Sequence, residues 1–310
     1  MSGRPTMAGH AAMMLFSVLV AGSFALGGLI ARDIAPLALN AVRFGLAALL
    51  LAAAALATGG FRAASLRAPW RYGLIAASVA IYFVLMFEAL RVSEPVPVSA
   101  VFTLTPVMSA GFGWLLLRQR PGWRVAGALA LGAAGALWVI FRADWAAVLA
   151  FQVGRGEAIF FWGCLAYAMF PPLVQRLSRG ERPLEFMCLV NVGVALILLV
   201  VGAPDLAATG WRGLTATVWV TIGYMAVFAT AGTFVLVQFA AARLPAAKVM
   251  AYTYLTPAWV LLWQLALGGA APSGPVLLGV AITGLALLIL LPDAAPGGQP
   301  PDPRDISRQK

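Results

Sequence analysis

Thr103-Leu104-Thr105-Pro106 lies in the middle of the apolar run 96–117, and Tyr254-Leu255-Thr256-Pro257 lies in the middle of the apolar run 246–267. The triplet Leu-Thr-Pro is common to both. A proline inside a helix removes one backbone hydrogen bond and clashes with the carbonyl four residues earlier. Pro106 is expected to free the carbonyl of Phe102 in this way, and Pro257 that of Thr253. In lipid an unsatisfied backbone group is costly, so such a break survives only against protein or a water-lined cavity. Two matching breaks therefore point to a site inside a bundle of helices.

The rest of the chain supplies that bundle. Of 310 residues 62% are hydrophobic and 10% charged, where a soluble domain carries roughly 25% charged residues. Ten apolar runs approach the roughly 20 residues that cross the hydrocarbon core: 10–31, 36–57, 72–91, 96–117, 123–141, 157–177, 184–201, 214–241, 246–267 and 274–291. The first has no small-residue cleavage site before a polar region, so it reads as a helix rather than a leader. Residues 293–310, rich in Pro, Gly and Asp, are expected to be a disordered cytoplasmic tail.

The net charge of +10 does not mark a nucleic-acid surface, because the basic residues sit in short loops between apolar runs. With the N-terminus inside, fifteen Lys and Arg fall on the cytoplasmic side: Arg4; Arg62, Arg67, Arg71; Arg118, Arg120, Arg124; Arg176, Arg179, Arg182; Arg243, Lys248; Arg304, Arg308, Lys310. Five fall outside, namely Arg32, Arg91, Arg142, Arg155 and Arg212, and Arg43 lies within a span. That asymmetry places both termini in the cytoplasm.

An offset of 151 residues aligns Pro106 with Pro257 and also Pro121 with Pro272. Each half then holds five spans: residues 1–145 in the first repeat, 146–292 in the second. Five is odd, so the second repeat enters the membrane from the opposite side. The loops agree, since Arg118, Arg120 and Arg124 follow the fourth span while the loop after the ninth is uncharged. Inverted repeats of this kind occur in transporters, with the site near the midplane between the halves.

Gly22-Ser23-Phe24 in the first span, Arg43-Phe44 in the second, Glu88-Ala89-Leu90-Arg91 ending the third, the Leu-Thr-Pro triplets and the glycine-rich fifth and tenth spans together resemble the EamA family. These are ten-helix exporters of the drug/metabolite transporter superfamily, and the resemblance covers residues 10–292. It implies metabolite export, with amino acids the leading substrate class. Gln119 and Ala270 stand where that family often carries a glutamate.

Several residues are candidates for binding. The face around Pro106 carries Ser99, Phe102 and Thr103, and that around Pro257 carries Met250, Thr253 and Tyr254. These faces are small, aromatic or hydroxylated, as suits a cavity. Tyr82 shares a helical face with Ser78, and Trp162 and Tyr167 lie near the middle of the sixth span before Pro171-Pro172. Ser78, Tyr82, Phe102, Thr103, Trp162, Tyr167, Thr253 and Tyr254 are thus expected to line the substrate site, with Pro106 and Pro257 as hinges. The alternative is that these prolines only bend their helices and the rings face lipid or core.

Arg43 and Glu88 are the full charges well inside spans, where an ionisable side chain is a functional hypothesis by default. Arg43 is seven residues from Pro36, or about 10 Å, and Glu88 is one turn from the external end of its span. They are expected to form a structural or coupling pair near the outer leaflet, away from the centre.

Cys164 and Cys188 lack metal-ligand spacing, and His10 is the single histidine. No His-Glu-x-x-His, nucleophile elbow or P-loop occurs. Neither enzymatic activity, a metal nor a cofactor is expected. The expected partners are a small-molecule substrate and the lipid bilayer, with no nucleic acid; the sequence does not fix the oligomeric state, and a monomer is plausible. The reading is an all-α protein of the bacterial inner membrane that exports small metabolites, amino acids first, by alternating access. A multidrug or organic-cation exporter is its nearest rival, and an integral membrane enzyme or a purely structural membrane protein is remote.

Overall fold

A computed structural model describes residues 3–290 except 151, 242, 245, 271 and 272. The 293–310 tail and Pro272 lie outside the described residues. Among those described, all regular structure is helical. The helices are α1 (Gly3–Ile30), α2 (Pro36–Ala57), α3 (Trp70–Leu90), α4 (Pro95–Phe102), α5 (Thr105–Leu117), α6 (Trp123–Ile140), the short α7 (Trp145–Leu149), α8 (Arg155–Ala168), α9 (Phe170–Leu177), α10 (Pro183–Val201), the short α11 (Ala203–Ala208), α12 (Ala216–Ala226), α13 (Thr233–Ala241), α14 (Ala246–Ala251), α15 (Thr256–Ala266) and α16 (Gly274–Leu290).

Eight helical stretches among the described residues are long and apolar enough to cross a membrane, including the broken pairs α4–α5 and α8–α9 and the run from α12 to α13. Ten spans are expected from the sequence, and the difference lies at the C-terminal end. There α14 and α15 are separated by the 3₁₀ turn Tyr252–Leu255, and α16 is a shorter apolar helix.

Proline accounts for the breaks. Pro106 is the second residue of α5. Just before it, Thr103 and Leu104 donate to the carbonyls of Ala100 and Val101, three residues back, at 3.1 and 3.0 Å. The chain thus tightens to 3₁₀ pairing where the α ladder loses its donor. Pro257 is likewise the second residue of α15, after its own 3₁₀ turn. A third break separates α8 from α9 at Met169, ahead of Pro171 and Pro172. A fourth irregularity needs no proline: Val227–Gly232 between α12 and α13 is π-helical.

Side-chain bonds gather the loops at two ends of the bundle. At one end Arg62, Arg71 and Arg182 tie residues 58–71 to residues 177–185. At the far end Arg32 donates to the carbonyl of Arg91, and Ser93 to the carboxylate of Glu157 at 2.7 Å. The first end is arginine-rich. Gly59 and Gly60 there take φ of 115° and 67°, a region glycine enters without steric cost. Thr58, Gly59 and Gly60 thereby present their carbonyls to the guanidinium of Arg182.

Between the ends the helices pack closely, α6 along α16, α2 along α10 and α3 along α8. Small residues set the spacing. A Cβ on Gly135 would lie 2.9 Å from the carbonyl oxygen of Gly279, so α6 and α16 touch backbone to backbone. Gly22 admits the hydroxyl of Tyr224, which donates to the carbonyl of Leu19 at 2.9 Å.

Candidate functional site: a central cavity floored by Arg43

A cavity of about 360 Å³ lies among α1, α2, α3, α4, α5, α8, α9, α10, α13 and α14. It opens toward the arginine-rich end, where Gln175 on its rim is exposed and Phe16, Val174, Met187 and Met250 are half-buried. It stops at Phe24, Arg43, Met86 and Phe102. Beyond that floor the far third of the bundle is filled by one cluster of buried apolar side chains that includes Leu39, Phe87, Leu90, Val96 and Val98.

Aromatic rings form the deep walls. Tyr82 stands at the centre of a chain of them, with ring centroids 4.5 Å from Tyr167, 5.3 Å from Phe160 and 5.8 Å from Phe102. Phe24 continues the chain 5.9 Å from Phe102, and Phe170 stacks on Tyr167 at 5.5 Å, nearly parallel. The break after Ala168 turns α9 so that Tyr167 and Phe170 face the same cavity.

Arg43 is the one formally charged side chain in the lining and is only 1% exposed. Its guanidinium lies 4.2 Å from the centroid of Phe83 and 5.3 Å from that of Phe44. Such cation–π contacts are worth about 2 kcal/mol when desolvated. Its Nε donates to Thr230 Oγ1 at 3.0 Å, within the π-helical turn. Nη1 is buried without a partner, and none of the ion pairs among the described residues involves Arg43. Ser23 and Asn191 line the same cavity, and Ser23 Oγ and Asn191 Oδ1 are likewise buried and unpartnered. The Asn191 amide nitrogen is held by the carbonyl of Met187 at 2.8 Å, which fixes where its oxygen points.

Of the expected liners, Tyr82, Phe102, Tyr167 and Thr253 border this cavity. The others do not. Ser78 is buried and donates to the carbonyl of Ile75 at 2.7 Å, because the cavity-facing stripe of α3 runs through Val79, Tyr82, Phe83 and Met86. Thr103 spends its hydroxyl on the carbonyl of Ala100 at 2.7 Å, inside the break. Trp162 is 63% exposed on the outer surface of the bundle. Five residues separate it from Tyr167, which at 100° each puts the two on different faces.

Tyr254 is fully buried, its ring against Gly132 where a Cβ would lie 2.3 Å away. It borders a second cavity of about 300 Å³, together with Pro106, Gln119 and Met250. Pro257 is buried and borders neither. The two prolines therefore do not face each other across one space.

The Arg43–Glu88 pair is corrected as well. Glu88 is 40% exposed and lies 3.3 Å from Arg91, its neighbour one turn on. Arg43, expected to lie away from the site, is its floor. Arg43 lies seven residues along α2 from Pro36, and the cavity reaches down to it.

Two segments, residues 7–141 and 154–291, each match the model of the EamA-like transporter family. The chain belongs to that family. Among its relatives is the uncharacterized transporter YyaM of Bacillus subtilis (strain 168), 22% identical over 255 residues, covering 82% of this chain and 84% of that one. A crystal structure of a protein 18% identical superposes with a TM-score of 0.67 over 93% of this chain and 96% of the other, which is a likeness of fold. The EamA-like chain is thus a multi-pass membrane protein of a transporter family. Both matched segments contribute to the cavity, Ser23, Arg43, Tyr82 and Phe102 from the first, Tyr167, Asn191, Thr230 and Thr253 from the second. Sequence reasoning missed Ser23, Asn191 and Thr230. Ser23 belongs to the Gly22-Ser23-Phe24 motif, and nothing in the sequence marks Asn191 or Thr230 as facing a site before the helices are packed.

At the arginine-rich end, Arg71 pairs with Glu181 at 2.8 Å, both nearly buried. Burial would raise the Glu181 carboxyl, but the backbone N–H of Arg179 and the Arg71 guanidinium outweigh it and hold the group down at about 2. Arg71 Nη1 also donates to the carbonyl of Leu177 at 2.6 Å. One buried ion pair thereby joins the start of α3 to the loop between α9 and α10.

Proposed function

We propose that this protein exports small metabolites, amino acids first among them, across the bacterial inner membrane by alternating access through the central cavity. In this reading ten helices cross the bilayer, α4–α5, α8–α9, α12–α13 and α14–α15 each counting as one. Residues 1–145 and 146–292 are inverted halves, and both termini are cytoplasmic. The arginine-rich end is then the cytoplasmic face, and the described conformation is open inward and sealed outward.

The observation that carries this reading is a dead-end cavity built from both matched segments, with its mouth at one face and packed side chains below its floor. A solute can enter from one side and leave only if the two halves rearrange. Aromatic walls with a few polar groups suit a small molecule that is part apolar. An organic-cation exporter would need an anionic counter-charge, and the lining offers none. Enzymatic chemistry would need an acid/base or metal cluster, for which the family gives no reason.

Purified protein in liposomes, assayed for uptake with unlabelled amino acids as competitors, tests the substrate class. Competition by at least one amino acid is expected. Competition by organic cations and by no amino acid would overturn it in favour of the cation exporter.

A further inference from the structure

We propose that Arg43 receives the carboxylate of the substrate, so that a free carboxylate, rather than an amino group, is what the cavity requires. This rests on the transport reading above and specifies the chemistry of its site.

Three observations converge. First, Arg43 Nη1 is a donor with no partner, on a side chain 1% exposed at the floor of the cavity. A guanidinium stays protonated in proteins and carries five N–H donors. An unused, desolvated donor on such a group is costly, and a solute oxygen would satisfy it. Second, the remaining contacts of Arg43 orient it without neutralising it. Phe83 and Phe44 lie against the guanidinium, and Thr230, a neutral hydroxyl, takes Nε. A structural arginine would more commonly end on a carboxylate, as Arg71 does on Glu181. Third, no acidic side chain lines the cavity, so the site carries a net positive charge that an anionic group would complete.

The neighbouring groups sort the rest of the solute. Ser23 Oγ can donate a second hydrogen bond to the same carboxylate. Asn191 Oδ1 is an acceptor and so suits an ammonium, but as a neutral amide it contributes less than the charge-assisted bond at Arg43. The amino group is therefore helpful and dispensable, and a 2-oxo or 3-aryl carboxylic acid should bind where the corresponding amine does not. The aromatic walls take the apolar remainder.

The test uses full-length protein in detergent and measures binding of matched sets on an aromatic, a branched and a small scaffold: the amino acid, its deaminated acid, its decarboxylated amine and its carboxamide. Thermal stabilisation or direct calorimetry reads the affinity. The amino acid and the acid are expected to bind at least about tenfold more tightly than the amine and amide, in line with one charge-assisted hydrogen bond. Arg43→Gln should erase that difference, and Arg43→Lys should restore part of it. Because the unmutated protein carries the comparison, a misfolded variant does not decide the outcome. Amine or amide binding as tightly as the acid in the unmodified protein would overturn the proposal while leaving the transporter reading intact. Binding of no acid and no amino acid on any scaffold would overturn this proposal and the amino-acid assignment together.

Discussion

Arg43 on α2 and Thr230 in the π-helical turn are joined by one hydrogen bond, Nε to Oγ1 at 3.0 Å, across the two matched segments. Thr230→Val keeps the shape and removes the acceptor. It leaves a second buried guanidinium donor without a partner, a loss of about 1–3 kcal/mol. The thermal midpoint in detergent should fall, and transport should fall with it. Thr230→Ser, which keeps the hydroxyl, should lie close to the unmodified protein.

Glycines at backbone contacts should behave differently from glycines at open positions. At Gly135 an added Cβ would meet the Gly279 carbonyl oxygen at 2.9 Å and the Thr283 amide nitrogen at 3.0 Å. Both atoms are backbone of α16 and cannot step aside without moving that helix, so Gly135→Ala should cost about 1–3 kcal/mol. Gly22→Ala would displace the Tyr224 hydroxyl from the Leu19 carbonyl, and Tyr224→Phe should partly rescue it. Gly111 has nothing within 4 Å, and Gly111→Ala should be neutral or slightly stabilising through helix propensity. Thermal unfolding of the variants in one detergent compares them directly.

Glu181 makes the stability depend on pH. Its carboxyl sits at about 2 in the folded protein against an ordinary value of 4.5. Between those values the unfolded chain binds the proton and the folded one does not, so stability rises with pH across that window. The contribution is complete above pH 4.5 and disappears as pH falls toward 2. Unfolding midpoints measured downward from pH 7 should decline once pH passes below 4.5. In Glu181→Gln that part of the decline should vanish, and at pH 7 the variant should be less stable because Arg71 is left buried and unpaired.

Trp162 and Tyr167 lie on one helix and should separate cleanly. Trp162→Ala removes an exposed ring and should leave transport within twofold or so of the unmodified protein. Tyr167→Ala removes a cavity wall that touches Tyr82, Phe102 and Phe170. A ring contact is worth about 0.5–1.5 kcal/mol, so apparent affinity should drop by up to about tenfold. Glu88→Gln, which loses only its exposed pairing with Arg91, should transport normally and with unaltered pH dependence.

The fold was largely readable from periodicity and proline. Runs of about 20 apolar residues define spans by length alone, and Pro106 and Pro257 break helices by local sterics that need no neighbours. The inward face of each helix was only partly readable. Tyr82 and Tyr167 were separable from lipid-facing rings only once the helices beside them were placed. Ser78 shows the limit, since a helix wheel groups it with Tyr82 and its hydroxyl still turns back to its own helix. Arg43 shows another. Counting from Pro36 gives its depth, but how far a cavity penetrates depends on side chains from many helices, here Phe24, Met86 and Phe102. The buried pair Arg71–Glu181 was hidden for the same reason, because its partners are 110 residues apart in a sequence where both belong to loop-flanking charge clusters.

The π-helical turn at Val227–Gly232 makes the aim of α13 a matter of counting. Tyr224, before it, is bonded to α1, while Thr233, Phe234 and Val237, after it, line the cavity. A π turn holds more backbone than an α turn. Closing the ladder in α register with every residue kept would rotate α13 by about 100° relative to α12. Its cavity face would be carried away from the site with no side chain in that face altered. A chain one residue shorter here would keep the same wall with a plain α turn, whereas this chain keeps it only while the turn stays π-helical.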